Sequence, residues 1–327
     1  MNKRTLGRTG ISVGEIGLGT WQLGGDWGEV SDAAALATLR AAVEAGTDFF
    51  DTADVYGAGR SEQLIGRFLR ESRATVRVAT KLGRFGEPGW PENFTRAVVR
   101  RHTEASLQRL GVEALDLTQL HCVPFEVLRR GELFGWLGEL RAEGKIRAYG
   151  ASVESMEEAQ WCAGQDGCSS LQIIFSLFRQ KPVTALFAEA QRRGVALIVR
   201  LPLASGLLAG KFTKVTRFPP GDHRNYNRDG QAFNVGETFA GLPFEKGVEL
   251  ADALKPLVPA GLTLAEMALR WCLDFDAVGV VIPGAKSPEQ ARANARASGL
   301  PRLAPDLHAQ LAKFYQREVH VHIRGPY

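Results

Sequence analysis

The stretch GTDFFDTADVYG, residues 46–57, sets Asp51 at the end of an apolar run and Tyr56 five residues beyond it. Phe49 and Phe50 require a core, yet they lead directly into a carboxylate, and a buried carboxylate without a partner loses its hydration at high cost. Two further apolar runs end on a polar side chain in the same way, VRVATK at Lys81 and LTQLH at His121. If the three runs are strands of one sheet, their ends meet. Lys81 and Asp51 would then hold each other charged. The four residue types together point to proton donation by Tyr56. A free tyrosine, with a pKa of about 10, is too weak an acid at neutral pH unless a cation lowers it. Lys81 is that cation, Asp51 fixes Lys81, and His121 hydrogen-bonds or orients a substrate oxygen. Taken singly, Asp51 could cap a helix, Tyr56 could be a turn aromatic before Gly57, and His121 could be a satisfied core histidine. The convergence of strand ends is what favours chemistry, because catalytic residues of barrels come from the ends of several strands.

The elements that must position these residues alternate along the chain. Strand-like runs in EIGLGT, TDFFDTA, VRVATK, ALDLTQLH, IRAYGAS, LQIIFSLF, GVALIVRLPL and AVGVVIPGA are each followed by a helix-length segment. Their near-continuous hydrophobicity indicates parallel strands covered by helices. A doubly wound sheet shares that beat, but GLGTWQ at 17–22 has Gln22 where a dinucleotide fingerprint needs its third glycine. Eight units predict a single (β/α)8 TIM barrel over residues 1–327. One connection is long, about 206–243 after the seventh strand, and it is predicted to lie over the C-terminal mouth where barrels build their sites.

Composition excludes several classes. The 40 basic and 36 acidic residues are interleaved, so the net charge of +4 marks no nucleic-acid surface. No apolar run approaches the roughly 20 residues that cross a bilayer. Cys122, Cys162, Cys168 and Cys272 form no C-x-x-C pair and no secretory segment precedes Met1, so a cytoplasmic protein with reduced thiols is expected. His320 and His322 in the terminal REVHVHIRGPY are two ligands where a zinc site takes three or four. No metal is expected, and this segment reads as a surface tail.

GTDFFDTADVYGAGRSEQLIGRFL, HTEASLQRLGVEALDLTQLH and VIPGAKSPEQARANARA resemble, in order, three signatures of the aldo-keto reductases, and the likeness runs over essentially the whole chain. The resemblance implies that Asp51, Tyr56, Lys81 and His121 take the places of the catalytic tetrad. It also implies a nicotinamide cofactor held without a Rossmann motif. Gly19, Thr20, Trp21 and Asp51 match its edge on the first strands; Ser152 and Gln172 match the partners of its carboxamide. Phe175 stands where relatives place a stacking tyrosine, and Val153 stands where they frequently carry asparagine. Leu203, Ser205, Leu207 and Lys211 match the pyrophosphate side. Gly284, Lys286, Ser287, Gln290 and Asn294 match the adenosine end, where a cation and a helix N-terminus suit a 2′-phosphate. NADPH is therefore the expected cofactor, with NADH possible.

For a small-molecule carbonyl substrate, Trp21, Trp27, Phe85, Trp90 and Phe125 are the expected aromatic lining, joined by Tyr56 and His121. Arg224 and Asn225 in the long loop are candidate polar contacts. Two alternatives stand beside reduction of an aldehyde or ketone. Barrels of this family also serve as cofactor-binding, redox-sensing subunits of membrane channels with slow turnover, although no docking extension is evident here. A Schiff-base lyase would use Lys81 as nucleophile, which protonation beside Asp51 opposes.

Overall fold

The computed structural model describes residues 1–25 and 27–327. Eight parallel strands run in sequence order: β1 (Leu18–Gly19), β2 (Phe49–Asp51), β3 (Arg77–Leu82), β4 (Leu117–His121), β5 (Tyr149–Ser152), β6 (Cys168–Ile174), β7 (Ala196–Arg200) and β8 (Val278–Val281). The first and last strands meet through parallel bridges, Ile16 with Val281 and Gly19 with Gly284, and Gly17 donates to the Val281 carbonyl at 2.9 Å. The sheet therefore curls back on itself as a (β/α)8 barrel, as the eight units predict.

Helices cover the outside: α1 (Asp32–Glu44), α2 (Arg60–Ser72), α3 (Arg96–Leu110), α4 (Glu132–Ala142), α5 (Met156–Ala163), α6 (Phe187–Arg193), α7 (Leu264–Leu273) and α8 (Pro288–Arg296), with a further helix, Phe244–Leu254, ahead of α7. Their starts follow capping chemistry. Ser155 and Glu158 form a reciprocal capping box at α5, and Thr263 and Glu266 do the same at α7. Close packing needs small residues. A methyl at Gly66 on α2 would lie 2.5 Å from the Arg109 carbonyl oxygen of α3.

The period of two along each strand decides what faces the barrel axis. Phe49, Ala79, Leu117, Ile198 and Val280 form an inner core that Leu6 and Val13, at the N-terminal hairpin, close from below. Phe50, Val78, Leu120, Ile173 and Val199 face the helices. Two residues beyond three of these inner apolar residues the same face carries a charge toward the C-terminal mouth: Asp51 after Phe49, Lys81 after Ala79, Arg200 after Ile198. Inward polar residues therefore gather at one end.

The segment 206–243 crosses that mouth through short turns at His223–Tyr226, Val235–Glu237 and Phe239–Gly241. The C-terminal stretch is not a loose tail. Arg324 donates to the Gly241 carbonyl at 3.0 Å, and the Tyr327 hydroxyl accepts from the Lys181 amide at 2.8 Å. No helix among the described residues is long and apolar enough to cross a membrane.

Candidate active site

Asp51 and His121 end β2 and β4 and Lys81 is the penultimate residue of β3; the three strands are adjacent in the sheet and in parallel register. Lys81 Nζ donates to Asp51 Oδ1 at 2.5 Å, to the Thr52 carbonyl at 2.7 Å and to the Tyr56 hydroxyl at 3.2 Å. The lysine is 1% exposed, so this ion pair is out of water and its geometry must satisfy both charges. Asp51 Oδ2 accepts from Gln172 Nε2 at 2.7 Å, which completes the carboxylate. What pairs with Asp51 is thus Lys81, and Lys81 hands its remaining proton toward Tyr56.

Burial opposes the Lys81 charge, but Asp51 and Tyr56 outweigh it and hold the ammonium above its ordinary pKa. Tyr56 departs from expectation. Burial raises its hydroxyl above the usual range, and Lys81, which pulls down as expected, only offsets part of that rise. Before any ligand binds, Tyr56 is therefore a firmly protonated phenol beside a cation. His121 is pushed well below its ordinary pKa by burial, then by Arg84 and Lys81, so the ring is neutral at pH 7. Its Nδ1 has no hydrogen-bond partner among the described residues. Its ring lies 5.9 Å from that of Tyr56 and nearly perpendicular to it. A phenol proton and an imidazole thus face one space.

That space is one end of a cavity of about 1410 Å³ running across the C-terminal mouth. Asp51, Tyr56, His121 and Gln172 line its floor at the catalytic end, beside Gly19, Thr20 and Trp21 of the first strand edge. Trp27, Phe85 and Trp90 line the outer side, with Trp90 more than half exposed. Leu203, Ser205 and Lys211 line the cavity as well, and so do Gly284, which bridges Gly19 of the first strand, and Lys286, Gln290 and Asn294. The residues fit an elongated dinucleotide. Gln22 Oε1, on this wall, is buried without a partner among the described residues, and Gly19 and Gly284 leave space that a Cβ would close, 2.8 Å from the Ile282 carbonyl and 2.0 Å from the Gln22 amide.

Six expected contact residues do not line the cavity. Phe175 is three residues from the inward Gln172 and so faces outward; its ring stacks on Trp271 of α7 at 4.7 Å and is fully buried. It is a core residue rather than a stacking partner. Phe125 packs edge-on to Trp161 at 6.5 Å and beside Arg129. Leu207 is buried against Gly247, where a methyl would lie 2.5 Å from its Cδ1. The Ser287 hydroxyl is engaged as the N-cap of α8. Ser152 is buried in register with His121 and Gln172, its hydroxyl 3.5 Å from Gln172 Oε1 and 3.8 Å from Cys122 Sγ. Arg224 does line the cavity, but Asp222 binds it at 2.6 Å and it lies over the Trp27 and Phe218 rings, while Asn225 is exposed outside the wall.

One cluster of charged wall residues escapes the sequence reading. Arg84, Glu154, Arg200 and Glu237 come from the segments after β3 and β5, the end of β7 and the long loop. Arg84 bonds Glu154 at 2.8 Å and Glu237 at 2.9 Å; Arg200 approaches Glu237 at 3.4 Å. Arg200 alone carried a signal, two residues past the inward Ile198.

The family model described as Aldo/keto reductase family matches residues 15–316. The chain is 30% identical to the aldo-keto reductase YhdN of Bacillus subtilis, over 91% of this chain and 89% of that protein. It is 29% identical to the NADH-specific methylglyoxal reductase of Escherichia coli, over 91% and 93%. The structure is similar to that of an aldo/keto reductase from Klebsiella pneumoniae solved with NADP and acetate, with a TM-score of 0.71, 25% identity and 96% of each chain covered. A barrel with an Asp, Tyr, Lys and His set at its mouth, matched over nearly its full length, belongs to the aldo/keto reductase family of oxidoreductases, which act on carbonyls with NAD(P)H.

Proposed function

We propose that this chain reduces an aldehyde or ketone to an alcohol, with NADPH as the preferred donor and Tyr56 as the source of the proton. The observation that carries the reading is Lys81 Nζ within bonding distance of both Asp51 and the Tyr56 hydroxyl at the floor of the cavity. When bound, the reduced nicotinamide supplies the hydride that goes to the carbonyl carbon. Tyr56 and neutral His121 hydrogen-bond the carbonyl oxygen, where negative charge develops. The Tyr56 proton moves to that oxygen, and Lys81, 3.2 Å away, stabilises the phenolate left behind. Asp51 keeps Lys81 charged and in place. Trp21, Trp27 and Phe85 exclude water from this end and offer apolar surface to the substrate.

The Schiff-base alternative loses ground because Lys81 is held protonated, and a protonated amine is no nucleophile. A sensor with negligible turnover would bind cofactor and reduce nothing. A panel of aldehydes, ketones and sugars, read by loss of NADPH absorbance, is expected to give turnover with at least one class. Tight cofactor binding with no reduction across the panel would point to the sensor instead.

Cofactor preference rests on Lys286 on the cavity wall, an exposed side chain to which no carboxylate is bound among the described residues. One charge-assisted contact to a 2′-phosphate is worth about 1.5–3 kcal/mol, or roughly a tenfold to hundredfold preference. Lys286→Ala is expected to raise the Kd for NADPH by that factor and to leave the Kd for NADH nearly unchanged, in fluorescence titrations with each. Equal weakening of both would remove Lys286 from the phosphate.

A further inference from the structure

Arg200 is an unusual group to find at a catalytic end. It is 9% exposed, ends β7 on the inward face and lines the cavity, and its Nε is buried without a hydrogen-bond partner among the described residues. One terminal nitrogen donates to the Val153 carbonyl at 3.2 Å and lies 3.5 Å from Cys122 Sγ, next to His121 in the chain. Its field reaches Asp51, Tyr56 and His121 alike. The cation therefore sits on the cavity wall within electrostatic reach of the catalytic set.

We propose that Arg200, steadied by Arg84, Glu154 and Glu237, lets this chain distinguish the oxidised from the reduced nicotinamide, its guanidinium disfavouring a ring that carries positive charge. The inference rests on the reading of this cavity as the nicotinamide site. The two forms of the cofactor differ at the ring by one positive charge and share their phosphates, so a cation near the ring weakens only the oxidised form. At the separations of neighbouring groups, one partly screened charge corresponds to roughly a tenfold to hundredfold effect. The consequence for reduction is easier release of the oxidised product cofactor.

The surrounding carboxylates make the effect depend on pH. Burial opposes the Glu237 charge, but Arg84 and Arg200 outweigh it and keep this carboxylate ionised. Glu154, pushed to about 7 by burial and by Glu237, takes up or loses its proton near neutrality. The other groups facing Glu154 do not titrate there: Cys122 is pushed up to about 12, Arg84 and Arg200 stay charged, and His121 stays neutral. Glu158 of α5 touches it only through the Glu154 amide, which donates to its carboxylate at 2.8 Å. Ionisation of Glu154 therefore adds a negative charge beside the two arginines as pH rises, and binding of the oxidised cofactor tightens.

The test is titration of the full-length protein with NADP+ and with NADPH, by quenching of tryptophan fluorescence, at pH 6, 7 and 8. The wild type is expected to bind NADPH more tightly, with a ratio of the two Kd values larger at pH 6 than at pH 8. Arg200→Gln is expected to shrink that ratio roughly tenfold at pH 6, chiefly by tightening NADP+, and Arg200→Lys to restore it. Glu154→Gln is expected to leave the ratio high at every pH. Equal weakening of both forms in Arg200→Gln would make the residue a grip on shared parts of the cofactor, and an unchanged ratio would remove its role; either overturns the proposal. Should Arg200→Gln not fold, Glu154→Gln decides, since a ratio that still moves with pH in that variant overturns it too. Failure of the wild type to bind either nucleotide would instead strike the cofactor reading itself.

Discussion

Tyr56→Phe is expected to lower turnover by roughly 100- to 10,000-fold while leaving the Kd for NADPH within about twofold of wild type. The ring keeps its packing, 5.9 Å from Trp21 and edge-on to His121. Only the hydroxyl that Lys81 reaches is lost. Because burial raises the Tyr56 pKa despite Lys81, the wild-type phenol stays protonated through the neutral range, and no loss of reduction from its ionisation is expected there. Steady-state kinetics with several carbonyl substrates check both statements. Near wild-type turnover in the variant would remove Tyr56 from the acid role and leave His121 as the remaining donor at the site.

The second large effect is on stability. Lys81→Met leaves Asp51 buried with Gln172 and Gln119 as its side-chain partners, at 2.7 Å and 3.5 Å, and breaking a buried ion pair in this way costs about 3–5 kcal/mol. Activity should fall with it, since the phenolate loses its neighbouring cation. The pH dependence has a definite sign. Burial already pushes the Asp51 carboxyl upward, and without Lys81 nothing comparable pulls it down, so its pKa in the folded variant stands above the unfolded value of about 3.9. A raised folded pKa gives stability that is present at low pH and lost as pH rises through it, so the variant should be least stable in alkaline buffer. Adding Asp51→Asn should recover part of the loss without recovering activity. Urea unfolding of the two single variants and the double at pH 5 and pH 8 measures this. Additive effects of the two substitutions would mean that the pair is not in contact.

Much of this molecule was legible in its residues alone. Strand and helix periodicity are local properties, and eight apolar runs each followed by a helix led to the barrel without any long-range information. Strand parity is equally local. Asp51, Lys81 and His121 close their runs, and the structure sets all three at one mouth because parallel strands end together. The same parity excludes Phe175, three residues after Gln172, and admits Arg200, two after Ile198; both could have been read from the sequence and were not. What the tertiary structure alone decided depends on distant segments meeting. Glu237 arrives from the long loop, Glu154 from beyond β5 and Arg84 from beyond β3, and no spacing along the chain places them in one cluster. The net pKa of Tyr56 belongs to the same category. That Lys81 would pull it down was a matter of residue type and reach. That burial would win is a matter of how completely the surrounding chain removes water from the hydroxyl, and desolvation is a sum over all the neighbours a side chain acquires on folding.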